Sequence, residues 1–377
     1  MPPAVDSSAP TQTRGRTSVA VKPSQQRSDV PASVQFLRSA KKLVLKVANR
    51  TGVSSAIGAS KWRQQRLLVL CYHGISQLDE HLWSDLYVSP ERLEQRLEVL
   101  HRTGSTILPL DKAVDALYAG DLPPQSVSVT FDDGMCDFST MAAPILSAAK
   151  AHSTLYFTTS YFGKDLPIFA PFVSYLLWKG KGRTVQLPGL DGRVLIPEDV
   201  NSQAFFELHD SLLRYTAAAA LDLYEKHEFA RLVARATGAD FEELCARRIM
   251  QLMNADEVRA LDPKLVSLQL HTHTHRTPAS LEEVQQELSI NAAEIARITG
   301  RRDVLNHFCY PSGRYSQELV NWLRIAGIRS ATTCTPNYST VTTSPLALPR
   351  FVDTMGVTPD TFEAWVKGTA AFTLRNR

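Results

Sequence analysis

The chain has 377 residues, is 44% hydrophobic and 21% charged, and carries a formal net charge of +3. That is the balance of a folded globular protein with one large domain or two ordinary ones, and the charge is too small to argue for a nucleic-acid partner. Five scattered cysteines, Cys71, Cys136, Cys245, Cys309 and Cys334, show no CxxC spacing and suit reduced, mostly buried thiols better than a disulfide frame or a zinc knuckle.

No uninterrupted apolar run approaches transmembrane length. The opening Met1-Pro2-Pro3-Ala4-Val5-Asp6 lacks the charged-then-apolar order of a secretory signal, so a cytoplasmic protein is expected. Residues 1–34, rich in Pro, Ser, Gln and Thr, carry too little apolar surface to fold and are expected to be a disordered tail. A helical period follows over 35–55. Phe36, Ala40, Leu43, Val44 and Val47 share one face, Arg38, Lys41, Lys42 and Lys46 occupy the rest, and Gly52 is a natural stop. Such a helix either docks on the main domain with a solvated basic face or lies on an anionic membrane through residues 36–50, at the inner membrane face.

From Arg66 the chain alternates strands and helices. Arg66–Ile75 reads as a buried strand with Tyr72-His73 at its end. Ser89 as N-cap and Pro90 in the first turn open a helix through Leu100. Thr106–Leu108 is a short strand, Leu110–Tyr118 a helix, Ser126–Phe131 a strand, Met141–Ala149 a helix and Ser153–Thr158 a strand. The rhythm breaks over about 165–262. Thr184–Ile196 looks like a hairpin turning at Asp191-Gly192, and helices are expected over 204–215, 221–236 and 241–253. This stretch reads as a mostly helical insertion, a lid or a substrate-binding wall. Alternation then resumes with strands at Leu265–Leu270, His307–Tyr310, Ser330–Thr333 and Leu346–Phe351, and helices at Leu281–Thr299, Gln317–Ala326 and Pro359–Val366. The pattern predicts an α/β protein with a parallel sheet or barrel.

Two strand ends carry the chemistry. Thr130-Phe131-Asp132-Asp133-Gly134 follows the apolar alternation of Val127 and Val129, and His271-Thr272-His273-Thr274-His275 follows Leu265, Val266, Leu268 and Leu270. In α/β barrels the strand C-termini form the active face. An Asp with two His four apart is a facial ligand set for Zn²⁺, Ni²⁺, Co²⁺ or Fe²⁺. The remaining Asp is then a ready general base. Asp-Asp-Gly by itself is no more than a turn; the two motifs together are far stronger than either alone. Pro311-Ser312-Gly313 is a tight turn at another strand end whose backbone N–H groups could face an oxyanion. His73, at the end of the first strand, is a core histidine or a catalyst. His307 starts its strand and is expected at the opposite end.

The TFDDG strand, the HTHTH strand and the FCYPSG turn, in that order, together with CYHGI and YVSPERLEQRLEVL, resemble the polysaccharide deacetylase family of carbohydrate esterases over roughly residues 66–365, within a barrel domain expected over 66–370. The resemblance implies a distorted (β/α)7 barrel with a helical insertion and one divalent metal, zinc first, then cobalt, nickel or iron. It implies a hydrolase acting on carbon–nitrogen bonds, removing acetyl groups, N-acetyl above all, from an acetylated polysaccharide, oligosaccharide or lipid-linked sugar. By motif, Asp132 is the implied general base, Asp133, His271 and His275 the metal ligands, and the Ser312 backbone the oxyanion donor. His273 falls at a variable position. Two departures stand out. Cys309 replaces an Arg common in the family, for which Arg350 could substitute by orienting Asp132. Leu348-Pro349-Arg350 lacks the histidine that many members use as general acid. Tyr72-His73 matches a permuted branch in which a Tyr-His strand supplies that acid. The competing readings are an inactive sugar-binding module and an amidohydrolase acting on a non-sugar amide.

Overall fold

The computed structural model describes residues 32–373, so most of the expected tail lies outside the described residues. Seven strands form one sheet: β1 (Leu68–Tyr72), β2 (Val127–Phe131), β3 (Ser153–Phe157), β4 (Val266–Leu270), β5 (His307–Cys309), β6 (Ser330–Thr332) and β7 (Phe351–Val352). Their order is β6-β5-β4-β3-β2-β1-β7, and every neighbouring pair is parallel. The two ends of the sheet almost meet. Leu348, just before β7, bridges Thr332 of β6, and its N–H donates to Ala331 O at 2.8 Å. The result is the expected distorted (β/α)7 barrel.

Side-chain alternation divides each strand between two environments. Leu68, Leu70, Val127, Val129, Phe131, Leu155, Phe157, Leu268 and Leu270 join the large core beneath the surrounding helices. The other set, with Val69, Tyr156, Cys309 and Leu348, packs with Leu110, Ala113, Val114 and Leu117, residues of the helix Leu110–Ala119. Both faces of β1, β2 and β3 are buried throughout, which is why these strands read as continuous apolar runs with small polar residues inside.

Several elements differ from expectation, each for a local reason. The strand expected over 66–75 ends at Tyr72, and Gly74–Ile75 instead pairs with Tyr87–Val88 in a separate two-stranded sheet. At 106–108 only a single bridge forms, from Ile107 to Val127, before Pro109 leaves the ladder. The strand expected over 346–351 shrinks to Phe351–Val352, because Pro345 and Pro349 cannot donate to a sheet. The helix expected over 141–149 starts with a wide turn at Phe138–Ala142 and is regular only over Ala143–Ala148. The capping logic at 89–90 is realised: Ser89 Oγ accepts from Arg92 N–H at 3.2 Å, and the helix runs Pro90–Arg102.

Residues 169–250, joined by Tyr87, build a second hydrophobic cluster that includes Phe172, Tyr175, Leu176, Phe205, Leu212, Val233 and Phe241. Its elements are the helices Phe169–Lys179, Gln203–Ala218, Leu223–Thr237 and Phe241–Ala246, with Thr184–Val185 and Val194–Leu195 as a short hairpin. The expected helix over 241–253 stops at Ala246. The chain then turns through Arg248 and Met250, both at positive φ, into an extended segment that bonds to the barrel.

The N-terminal helix, α1 (Ala32–Arg50), leans on the helix Pro359–Lys367 through buried Leu45, and Asn49 Nδ2 donates to Asp360 O at 2.9 Å. Leu43, Val44 and Val47, on the face that reads as apolar from sequence, are instead exposed. Docking uses the neighbouring side of the helix. No described helix is long and apolar enough to cross a membrane.

Candidate active site

β2 ends in the Asp pair, and the backbone separates the two carboxylates. Asp132 continues the strand, its N–H donating to Tyr72 O at 3.0 Å. Asp133 takes φ +73 and Gly134 φ +85, a left-handed turn that an Asp tolerates and a glycine adopts freely. A Cβ at position 134 would collide with the ring of buried Phe157, so glycine is required there for space as well as for φ. The end of the insertion holds this turn in place. Cys136 N–H donates to Gln251 O at 2.8 Å, Met253 N–H donates to Gly134 O at 3.1 Å, and Met135 bridges Leu252.

After β4 the chain turns rather than running straight. Thr272 (φ +62) and His275 (φ +56) break the extension. His271 and His275 therefore converge, with ring centroids 4.7 Å apart. His273 faces away, its Nδ1 lying 2.9 Å from Thr159 Oγ1 and its carbonyl accepting from Ser160 N–H. It takes no part in the cluster, in keeping with its variable position. The Nε2 atoms of His271 and His275 lie 3.3 and 3.2 Å from the same oxygen, Asp133 Oδ1.

That oxygen is buried yet makes no hydrogen bond, although two imidazole nitrogens stand beside it. The three donor atoms all lie within 4.8 Å of each other, with Asp133 Oδ1 left without a hydrogen bond. An Asp oxygen and two imidazole nitrogens suit a divalent transition metal. His271 Nδ1 sits 2.9 Å from Cys309 O, so Nδ1–H donates to that carbonyl and leaves the Nε2 lone pair for a ligand bond. Asn291, fully buried, accepts from His271 N–H at 3.1 Å and donates to Phe157 O at 2.9 Å and to Thr159 Oγ1 at 3.1 Å, fixing the strand end that carries the histidine. Asn291 went unread in the sequence. Its signal was there: a polar residue in the apolar stripe Val284, Leu288, Ile295 and Ile298 of the helix Leu281–Thr299.

Asp132 belongs to a different partner. Arg350 grips it bidentately, Nη1 to Oδ1 at 2.7 Å and Nη2 to Oδ2 at 2.7 Å. Its Nη1 also donates to Thr130 Oγ1 at 3.1 Å and its Nε to Thr333 O at 3.0 Å, so a fully buried guanidinium is held on several sides. Burial alone would push the Asp132 carboxyl up; the guanidinium outweighs it and holds the group well below the usual carboxylate range. Asp132 is therefore ionised at any ordinary pH. His73 Nε2 lies 3.6 Å from Asp132 Oδ2, on the partly exposed side.

Three thiols that no spacing in the sequence foretold surround this pair. Cys309 Sγ is 3.4 Å from Asp132 Oδ2 and 3.1 Å from Arg350 Nη2; Cys71 Sγ is 3.7 Å from Asp132 Oδ2; Cys334 Sγ is 3.6 Å from Arg350 Nη2. Cys334 also packs against Gly313, which places the Pro311–Gly313 turn on the same rim. Ser312 there adopts φ +55, a backbone turned out of the strand. Among the sequence-read residues, Asp132, Asp133, His73, His271, His275 and Arg350 are thus brought together directly, and Ser312 sits on the adjoining turn. His307 is at the start of β5, buried, with Nδ1 2.7 Å from Ser330 Oγ, away from the cluster.

Residues 218–331 match the family model for polysaccharide deacetylase, a span that includes His271, His275 and Ser312 but neither Asp132 nor Arg350. No curated protein matches the chain. Among solved structures, the Streptococcus pyogenes deacetylase PplD in complex with acetate is similar at 17% identity with a TM-score of 0.51, over 78% of this chain and 96% of that one. IcaB from Ammonifex degensii is similar at 17% identity with a TM-score of 0.48, over 81% of this chain and 98% of that one. The likeness to PplD is one of fold. The family match, over residues 218–331, is a similarity to polysaccharide deacetylases within that span.

Proposed function

We propose that the chain is a metal-dependent hydrolase that removes acetyl groups, N-acetyl above all, from an acetylated polysaccharide, oligosaccharide or lipid-linked sugar. One observation carries the reading. Asp133, His271 and His275 bring three donor atoms within 4.8 Å of one another, and the clamped carboxylate of Asp132 stands next to them. A ligand set this complete favours an enzyme over an inactive sugar-binding module.

Asp133, His271 and His275 would hold one divalent ion, zinc first, then cobalt, nickel or iron; when bound, it supplies Lewis acidity toward an acyl oxygen and a water. Asp132, permanently ionised and oriented by Arg350, accepts the proton of the attacking water. The backbone N–H of Ser312 faces the negative charge that develops on the acetyl oxygen. His73, as imidazolium, gives its proton to the departing amine while acetate leaves, so amide and water become amine and acetate. The helical segment of about 165–262 is proposed as a substrate wall on the 66–370 barrel, since its last residues hold the Asp133 turn.

The direct test is acetate release from N-acetylglucosamine oligomers and from an O-acetylated glycan, after reconstitution with each metal. Release from the first, abolished in Asp132→Asn with the ion retained, is expected. No release from either substrate by protein that binds an ion stoichiometrically would leave a non-sugar amide as the substrate. His73→Ala is expected to lower kcat by roughly 10²–10⁴-fold. A loss below about threefold would remove His73 from the reaction.

A further inference from the structure

We propose that α1 is a membrane-docking element that lays one face on an anionic lipid surface. The helix presents three faces. The first carries Leu45 and Asn49 and is fastened to the helix Pro359–Lys367. The second is apolar and open to solvent, with Leu43 at 62%, Val44 at 56% and Val47 at 50% exposure. The third is basic: Lys42, Lys46 and Arg50 recur every fourth residue and so line one edge of the apolar strip, all three exposed. From Ala32 to Arg50 the helix contains no Asp or Glu.

Those three features select the occupant. An apolar strip by itself would accept any greasy partner. A strip edged by cations, on a helix without a single carboxylate, fits a surface that is apolar below and negatively charged at its rim, which is a bilayer containing acidic headgroups. The helix is anchored through a different side, so burying the strip in lipid costs no packing contact. Val53 and Phe372, each more than half exposed, lie on segments that pack with α1 and add apolar surface beside it. The reading does not depend on the reaction assigned to the barrel, and its test measures binding alone.

The full-length chain is mixed with vesicles of phosphatidylcholine alone, or of phosphatidylcholine with phosphatidylglycerol, and sedimented. Binding to the anionic vesicles only, weakening as salt rises, is the expected result. Two variants keep the fold because the altered residues are exposed, with circular dichroism as the check. Leu43→Ser/Val44→Ser/Val47→Ser is expected to abolish binding, and Lys42→Ala/Lys46→Ala/Arg50→Ala to weaken it by roughly tenfold or more. Equal binding to both vesicle types, or anionic binding that both variants retain, overturns the proposal. So does a concentration-dependent dimer lost in the serine variant, which makes the strip a contact between copies. Binding that appears only after residues 1–31 are deleted assigns the strip to that segment instead.

Discussion

Arg350→Met is expected to destabilise the protein by about 3–5 kcal/mol, because it strands the carboxylate of Asp132 in a buried site with no countercharge. The guanidinium is fully buried and Asp132 nearly so, and the pair is joined by two hydrogen bonds of 2.7 Å. The pH dependence gives a sharper signature than the midpoint. In the wild type the Asp132 carboxyl titrates below its unfolded value. The folded state therefore binds fewer protons there, and the stabilisation is complete above about pH 4 and lost as acid is added. In the methionine variant burial, the largest influence on this group, is opposed only by the weaker pull of His73 and His271, and it is expected to raise the carboxyl above its unfolded value. The folded state then prefers the protonated acid, and stability falls as pH rises through the raised pKa. Between about pH 4 and 8 the denaturant midpoint of the metal-free methionine variant should thus fall as pH rises, whereas this carboxylate should give the wild type no slope there, only a loss of stability below about pH 4. Asp132→Asn placed on the methionine variant should recover part of the loss, since it removes the orphan charge. Parallel slopes and an unchanged midpoint would show that the clamp contributes nothing.

Asp133→Ala and His271→Ala should each lose the bound ion and all turnover while the barrel persists. Elemental mass spectrometry on protein reconstituted with Zn²⁺, Co²⁺ or Ni²⁺ should find close to one ion per chain in the wild type and none in either variant. Stability supplies an independent readout. An ion present at about 100 times its dissociation constant stabilises the wild type by roughly 2.7 kcal/mol, and the variants should show no shift. His273→Ala serves as the control, because that ring turns toward Thr159 and not toward Asp133. Full metal content in both ligand variants, or loss of the ion in His273→Ala, would place the site elsewhere.

What was legible in the sequence were the residues whose chemistry depends on a strand and its end. Asp132 and Asp133 follow a buried alternation, and His271 and His275 follow another, so their arrival at one end of a parallel barrel was readable from period and type alone. The turn that sends His273 outward while its neighbours converge was only half readable, because it rests on positive φ at Thr272 and His275, neither of which is a glycine. The thiol cage was unreadable. Cys71, Cys309 and Cys334 are far apart in the chain and meet only because β1, β5 and the segment after β6 face one interior. The last strand was misplaced because apolar character at 346–351 masked two prolines that cannot pair. The exposed strip on α1 was read correctly as a face but not as an open one, since sequence shows which residues align on a helix and not which side finds a partner.

The seam of the barrel has a kinetic consequence. Arg350 and Asp132 are separated by 218 residues, and the arginine arrives on the segment that bridges the two ends of the sheet. Contacts between distant parts of a chain form only after the entropy of closing the intervening loop has been overcome. Until this last stretch seats itself, Asp132 lacks its orienting partner, however well the strand ends carrying Asp133 and His271 have formed. The clamp on Asp132 is thus expected to form late in folding, and a nascent chain halted short of its final strand would carry Asp133, His271 and His275 without an oriented Asp132.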